Sequence, residues 1–122
     1  MGINSTEVSF GFGQMGSAFM DTTATYTPPT GKVIVAITIV AVDTAFTTLT
    51  PDTSGYLDGT TGAALKGATA YIGTTTPVGQ NGGGALALDS NNRFASGITI
   101  YGRWTAMKLS AGAVIMYVAD VV

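Results

Sequence analysis

The side chains available for acid-base chemistry in this 122-residue chain are seven carboxylates, three lysines and five tyrosines, because histidine and cysteine are both absent. That absence removes Ser-His and Cys-His nucleophile pairs, imidazole and thiolate metal ligands, and disulfides together. A paired-carboxylate hydrolase is the one catalytic design left. Asp52 with Asp58, or Asp89 with Asp120, are the pairs a fold would have to bring together, and nothing in the spacing marks either. The expectation is a protein that is not an enzyme.

Binding motifs fare no better. Gly11-x-Gly13-x-x-Gly16 has the spacing of a dinucleotide-binding fingerprint, but that site needs a strand before it, a helix after it and an acid about twenty residues on. The segment that follows, residues 18–27, shows no helical period and runs into Pro28 and Pro29. The Gly82-Gly83-Gly84 run lacks the Gly-Lys-Ser/Thr ending of a phosphate loop. Asp52 and Asp58 are the only charges in the turn-rich stretch 51–62, and they lack the tight alternation and closing Glu of a calcium loop. No cofactor and no metal are expected.

Composition narrows the class further. Charged residues make up 10% of the chain, well below the roughly 25% of an average soluble domain. Little charge on an apolar chain points to surface that ends up covered. Five basic against seven acidic residues give no patch for phosphates, so direct nucleic-acid binding is not expected. No apolar run reaches the roughly twenty residues of a membrane helix. Glu7 and the lack of a basic segment ahead of an apolar core argue against a secretory signal, and the missing cysteines fit synthesis in a reducing cytoplasm.

The elements that would carry any surface follow from periodicity. Residues 33–42, Val-Ile-Val-Ala-Ile-Thr-Ile-Val-Ala-Val, are mostly β-branched and uncharged, which disfavours helix and suits a pleated, two-sidedly buried strand. Its expected faces are Val33, Val35, Ile37, Ile39 and Ala41 on one side, and Ile34, Ala36, Val40 and Val42 on the other. Thr27-Pro28-Pro29-Thr30-Gly31-Lys32 is the turn leading into it. Phe46–Thr50 reads as a short strand closed by Pro51, and Asp89-Ser90-Asn91-Asn92 as a turn.

Residues 63–72 fit a helical turn or a strand piece equally, and 73–84 read as a long Gly/Thr-rich loop. From Gly97 onward, Ile98, Ile100, Trp104 and Ala106 alternate with Thr99, Tyr101, Arg103 and Thr105. Ser110-Ala111-Gly112 then supplies a turn into Ala113–Ala119, so a β-hairpin beside the central strand is expected. One all-β domain over residues 1–122 follows, a β-sandwich or jelly-roll-like fold with long loops, residues 1–20 forming an arm or edge strand.

Trp104, the single tryptophan, reads as a core anchor. Two places read as protein-interface candidates. Val8-Ser-Phe10-Gly-Phe12-Gly alternates large apolar with small residues, as a docking arm would. Tyr101 and Arg103 share an expected outward face and belong to the residue types enriched where one protein covers another. The alternative use for the same strand is a solvated face with a cation-aromatic contact.

Two stretches resemble small virion proteins of tailed bacteriophages, especially phages of marine bacteria. They are Thr25-Tyr26-Thr27-Pro28-Pro29-Thr30-Gly31-Lys32-Val33-Ile34-Val35-Ala36-Ile37-Thr38 and Gly97-Ile98-Thr99-Ile100-Tyr101-Gly102-Arg103-Trp104-Thr105. With the closing segment they cover about half of the chain. The resemblance implies a β-rich decoration or cement protein on the capsid exterior, a homotrimer whose partner is the major capsid protein, located on the virion after synthesis in the host cytoplasm. A tail, fibre or receptor-binding module with carbohydrate-binding capacity is the alternative implied by the same Thr/Gly-rich β composition.

Overall fold

The computed structural model describes residues 15–52, 71–74 and 86–120. Six strands run in chain order: β1 (Ser17–Met20), β2 (Thr25–Tyr26), β3 (Lys32–Ile39), β4 (Ala45–Pro51), β5 (Thr99–Ala111) and β6 (Val114–Asp120). There is no helix among the described residues. All six strands belong to one antiparallel sheet in the order β1-β6-β3-β5-β2, with β4 also paired to β5. The sheet curls into a half-barrel. The all-β expectation holds, and among the described residues the strands make one continuous sheet, without the separate facing sheets of a sandwich or jelly roll.

The curl comes from β5. Its first half pairs with β3 (Thr99 opposite Thr38, Trp104 opposite Ile34), and its second half lies between β2 and β4 (Met107 opposite both Tyr26 and Leu49). Register slips occur where the halves meet, between Ile34 and Ala36 on β3 and between Thr50 and Pro51 on β4. An extra residue on one strand increases local twist and bends it, so a 13-residue strand can serve both arms of a folded sheet.

These slips correct the expected faces. On β3 the register against β6 gives Val35 no partner of its own, so Ile34 joins Ile37 and Ile39 on the core side, with Val33 and Ala36 on the other. On β5 Trp104 is buried as expected, but a slip at Thr105 hands the inward positions to Met107 and Leu109, leaving Ala106 half-buried. The expectation that β3 is buried on both sides holds for Val33, which is fully buried, and Ala36, which is nearly so.

The expected β5–β6 hairpin is also corrected. Gly112 and Ala113 do connect the two strands, yet β3 lies between them and pairs with both. The physical reason is the bend: past Trp104, β5 leaves β3 for β4, and its end at Ala111 meets Ala45 instead of β6. The connection is tight enough to require glycine. Gly112 has φ +94°, and a Cβ there would fall on Thr44 Oγ1 and within 2.6 Å of Thr44 Cα. Thr44 is itself fully buried, donating to Ala41 C=O at 2.6 Å and accepting from Ala113 N–H at 3.2 Å.

Inside the curl lie Ile34, Ile37, Ile39, Phe46, Leu49, Trp104, Met107, Leu109, Val114, Met116 and Val118, with Ala18, Met20, Tyr26 and Phe94 packed at the margin. Phe46 and Phe94 meet edge to face at 5.6 Å and 75°. Trp104 spreads its ring over Gly102, where a Cβ would sit 2.7 Å from it, and donates its indole N–H to Ile72 C=O at 2.6 Å. That bond satisfies the ring's only polar group, which is what permits its full burial.

Two of the turns read from sequence are present, whereas Ser110 and Ala111, expected in a third, continue β5 and leave the link to Gly112 and Ala113. Lys32 N–H donates to Pro29 C=O at 2.9 Å with Gly31 at φ +84°, and Asp89 closes its turn through Asn91 N–H at 2.8 Å and Asn92 N–H at 3.0 Å. Of residues 1–20, Ser17–Met20 form an edge strand on β6. Phe10, Phe12, Asp58 and most of the loops at 51–84 lie outside the described residues.

Candidate interaction surface

Among the described residues no group of three or more carboxylates is placed to hold a metal ion. Three of the described carboxylates hold parts of the fold. Asp120 lies opposite Lys32 in the β3–β6 ladder and bonds its ammonium at 2.6 Å at the exposed rim, while Asp89 holds its own turn. Asp52 is 5% exposed and accepts from the Arg103 guanidinium at 3.4 Å, its own N–H donating to Arg103 C=O at 2.8 Å. No helix among the described residues is long and apolar enough to cross a membrane.

What the sheet does build is a pair of uncharged rows on the outer face of the arm made of β1, β6, β3 and the first half of β5. Alternation puts every second residue of each strand on the side away from the core, and the registers line these up in rows. One row runs Phe19, Ile115, Thr38, Thr99; the next runs Ser17, Tyr117, Ala36, Tyr101. Phe19 is 60% exposed and Tyr101 76%, while Ile115 and Tyr117 are half-buried. Ala36 sits between the two tyrosines and is covered. Thr38 and Thr99 satisfy each other through a 2.9 Å hydroxyl–hydroxyl bond, so the first row presents little unpaired polarity.

The outer side of the other arm is different in kind. There Thr25, Lys108 and Thr48 form one row across β2, β5 and β4, and Ala106 stands beside Thr50. Hydroxyls and an ammonium suit water. The half-barrel therefore has one wettable back and one apolar, aromatic back. The phenol of Tyr26, at the margin between this row and the core, is pushed up from its ordinary range by burial.

Of the four interface candidates, Tyr101 is exposed on the aromatic face. Arg103 does not stand free beside it: its side chain is only 26% exposed and turns to Asp52 at the end of β4. Phe10 and Phe12 lie outside the described residues. Sequence reasoning missed Phe19, Ile115 and Tyr117. The available signals were the alternation Ser17-Ala18-Phe19-Met20 and the two-sided apolarity of Val114–Ala119; without the β1–β6 pairing nothing said these would share a face with Tyr101. No family model matches this chain, and neither a curated protein nor a solved structure does.

Proposed function

We propose that this chain is a structural virion protein that decorates and stabilises the exterior of a tailed-phage capsid and carries out no catalysis. The observation that carries the reading is the pair of uncharged rows on the outer face, running from Phe19 through Ile115 and Tyr117 to Tyr101, on a chain with only 10% charged residues. Contiguous apolar surface of this kind marks a place where another protein sits, and aromatic residues supply contact area at low entropic cost. The resemblance of residues 25–38 and 97–105 to small phage virion proteins supplies the partner, the major capsid protein, and the homotrimeric arrangement.

A trimer seated over several capsid subunits holds by multiple contacts at once, so modest single affinities combine through effective concentration and oppose shell expansion. Stable docking needs about 1,200 Å² or more of buried surface in total. The contributors are the Tyr101 face and the segment around Phe10 and Phe12.

The test uses fluorescently labelled protein added to purified particles stripped of it. Decoration of the head is the expected result, with Tyr101→Asp and Tyr117→Asp each lowering retention, and removal of residues 1–16 abolishing it while near-ultraviolet circular dichroism stays native. Label confined to the tail would replace this reading with the fibre or receptor-binding one. Saturable glycan binding with no particle binding would do the same for a carbohydrate-binding module.

A further inference from the structure

Among the described residues the sheet ends at β1, β2 and β4, and the chain treats these edges differently. Along β4, Thr74 N–H donates to Leu49 C=O at 2.9 Å, Leu49 N–H donates to Thr74 Oγ1 at 3.0 Å, and Phe94 N–H donates to Thr44 C=O at 2.9 Å. That edge is closed. β2 is two residues long and is followed by Pro28 and Pro29, which have no N–H to offer. β1 has neither device. Val118 N–H donates to Gly16 C=O at 3.0 Å, and the register continues Ala18 opposite Met116 and Met20 opposite Val114. Residues 16, 18 and 20 therefore turn their backbone groups to β6, and Ser17 and Phe19 turn theirs to the open side. Among the described residues nothing bonds the N–H or C=O of Ser17 or Phe19. An uncharged, proline-free strand with an exposed phenylalanine is what protective features normally prevent.

We propose that β1 is a self-association edge, on which a second copy of this chain continues the sheet through antiparallel β1–β1 pairing about a two-fold axis at Phe19. Parity limits the register. In an antiparallel pair, residues facing each other share a side of the sheet, so odd-numbered residues meet odd-numbered ones, and of the registers this allows we take the one that sets Phe19 on Phe19 and Ala18 opposite Met20 of the second copy. That arrangement puts Phe19 on Phe19 on the outer face and joins Ala18 and Met20, which already pack at the core's margin, across the seam on the inner face. The open backbone groups of both Phe19 residues bond each other directly. Asp21, the one charge near the strand, falls opposite Ser17 of the second copy, so no like charges meet. The seam also doubles the aromatic face, since Phe19 ends its row in one copy and begins it in the next. This association stands whatever the chain decorates, and it is compatible with a three-fold contact elsewhere.

The experiment is charge swapping at the axis, with the full chain and mass by analytical ultracentrifugation. The parent sediments as an even-numbered assembly. Phe19→Lys and Phe19→Glu, each placing a like pair face to face, weaken association about tenfold or more and halve the assembly's mass; mixing the two in equal amounts restores it. Ser17→Pro, which removes a donor on the open side while leaving the β6 ladder intact, also weakens association, with Trp104 fluorescence checking the fold of every variant. A parent that is monomeric or odd-numbered, a Ser17→Pro variant that associates like the parent, or charge variants that remain apart on mixing overturns the proposal.

Discussion

Replacing Gly112 with alanine tests the tight link on which the curl of the sheet rests. Two costs add. The backbone at φ +94° is a conformation that L-residues adopt at about 1–2 kcal/mol, and the new methyl would sit within 2.6 Å of Thr44 Cα and 2.7 Å of its Cβ. Backbone and a β-branched side chain cannot swing aside, so the overlap adds about 1–3 kcal/mol of overpacking. Displacing Thr44 would also strain its bonds to Ala41 C=O and Ala113 N–H. The expected loss is about 2–5 kcal/mol, a large part of the roughly 5–15 kcal/mol that holds a domain of this size.

Gly31→Ala is the internal control, because Gly31 has nearly the same φ, +84°, with nothing within 4 Å of the added methyl. It carries the backbone cost alone, about 1–2 kcal/mol. Urea unfolding followed by Trp104 fluorescence measures both, and the difference between the two variants isolates the contact with Thr44. Equal losses would refute the reasoning, since they would mean that the Gly112–Thr44 approach contributes nothing beyond dihedral strain.

Other outcomes follow from single contacts. Trp104→Phe removes the donor to Ile72 C=O and leaves space above Gly102, and should lower stability by about 1–3 kcal/mol in urea unfolding followed by circular dichroism. Because burial raises the Tyr26 phenol, the folded chain holds that proton more tightly than the unfolded chain; its contribution is fully present below about pH 10 and is lost as pH climbs through the folded value. Tyr26→Phe should flatten the fall in melting temperature over that alkaline window. Lys32→Met, which breaks an exposed pair with Asp120, should cost under about 1 kcal/mol, whereas Arg103→Met, which leaves a carboxylate at 5% exposure without its guanidinium, should cost more in the same chemical-denaturation assay.

Sequence periodicity revealed the elements more readily than their partners. The β-branched run from Val33, the proline-glycine turn before it and the strand ending at Pro51 are local consequences of side-chain shape and fixed φ; the run forms a strand only as far as Ile39, and Val40 and Val42, expected on its buried face, lie past its end and are exposed. Faces and neighbours are not local. A slip of one residue reverses every later side chain, and the slips beside Val35 and Thr105 depend on strands far away in the chain. Alternation counted from Ile98 therefore places Trp104 correctly and Ala106 wrongly. Arg103 alternates with Trp104 as counted from the sequence, but its guanidinium turns to Asp52, the residue after β4, through a strand pairing that no spacing announces.

The same slips explain why, among the described residues, one back of the half-barrel is apolar and the other polar. By moving Met107 and Leu109 inward, the change of phase at Thr105 turns Lys108 outward between Thr25 and Thr48, so the second arm acquires a polar exterior from residues that would otherwise face the core. On the first arm the change at Val35 brings Ile34 into the core and leaves Ala36 opposite Tyr117 on one side and Tyr101 on the other. Among the described residues, apolar surface is thus concentrated on the arm that ends at β1, an edge to which none of them bonds, while the edge of the polar arm is capped by Thr74 and Phe94. A chain avoiding association would cap the edge beside its apolar back first. Here the protection is reversed, and that asymmetry is the strongest structural argument that this back and this edge work together as contact surface.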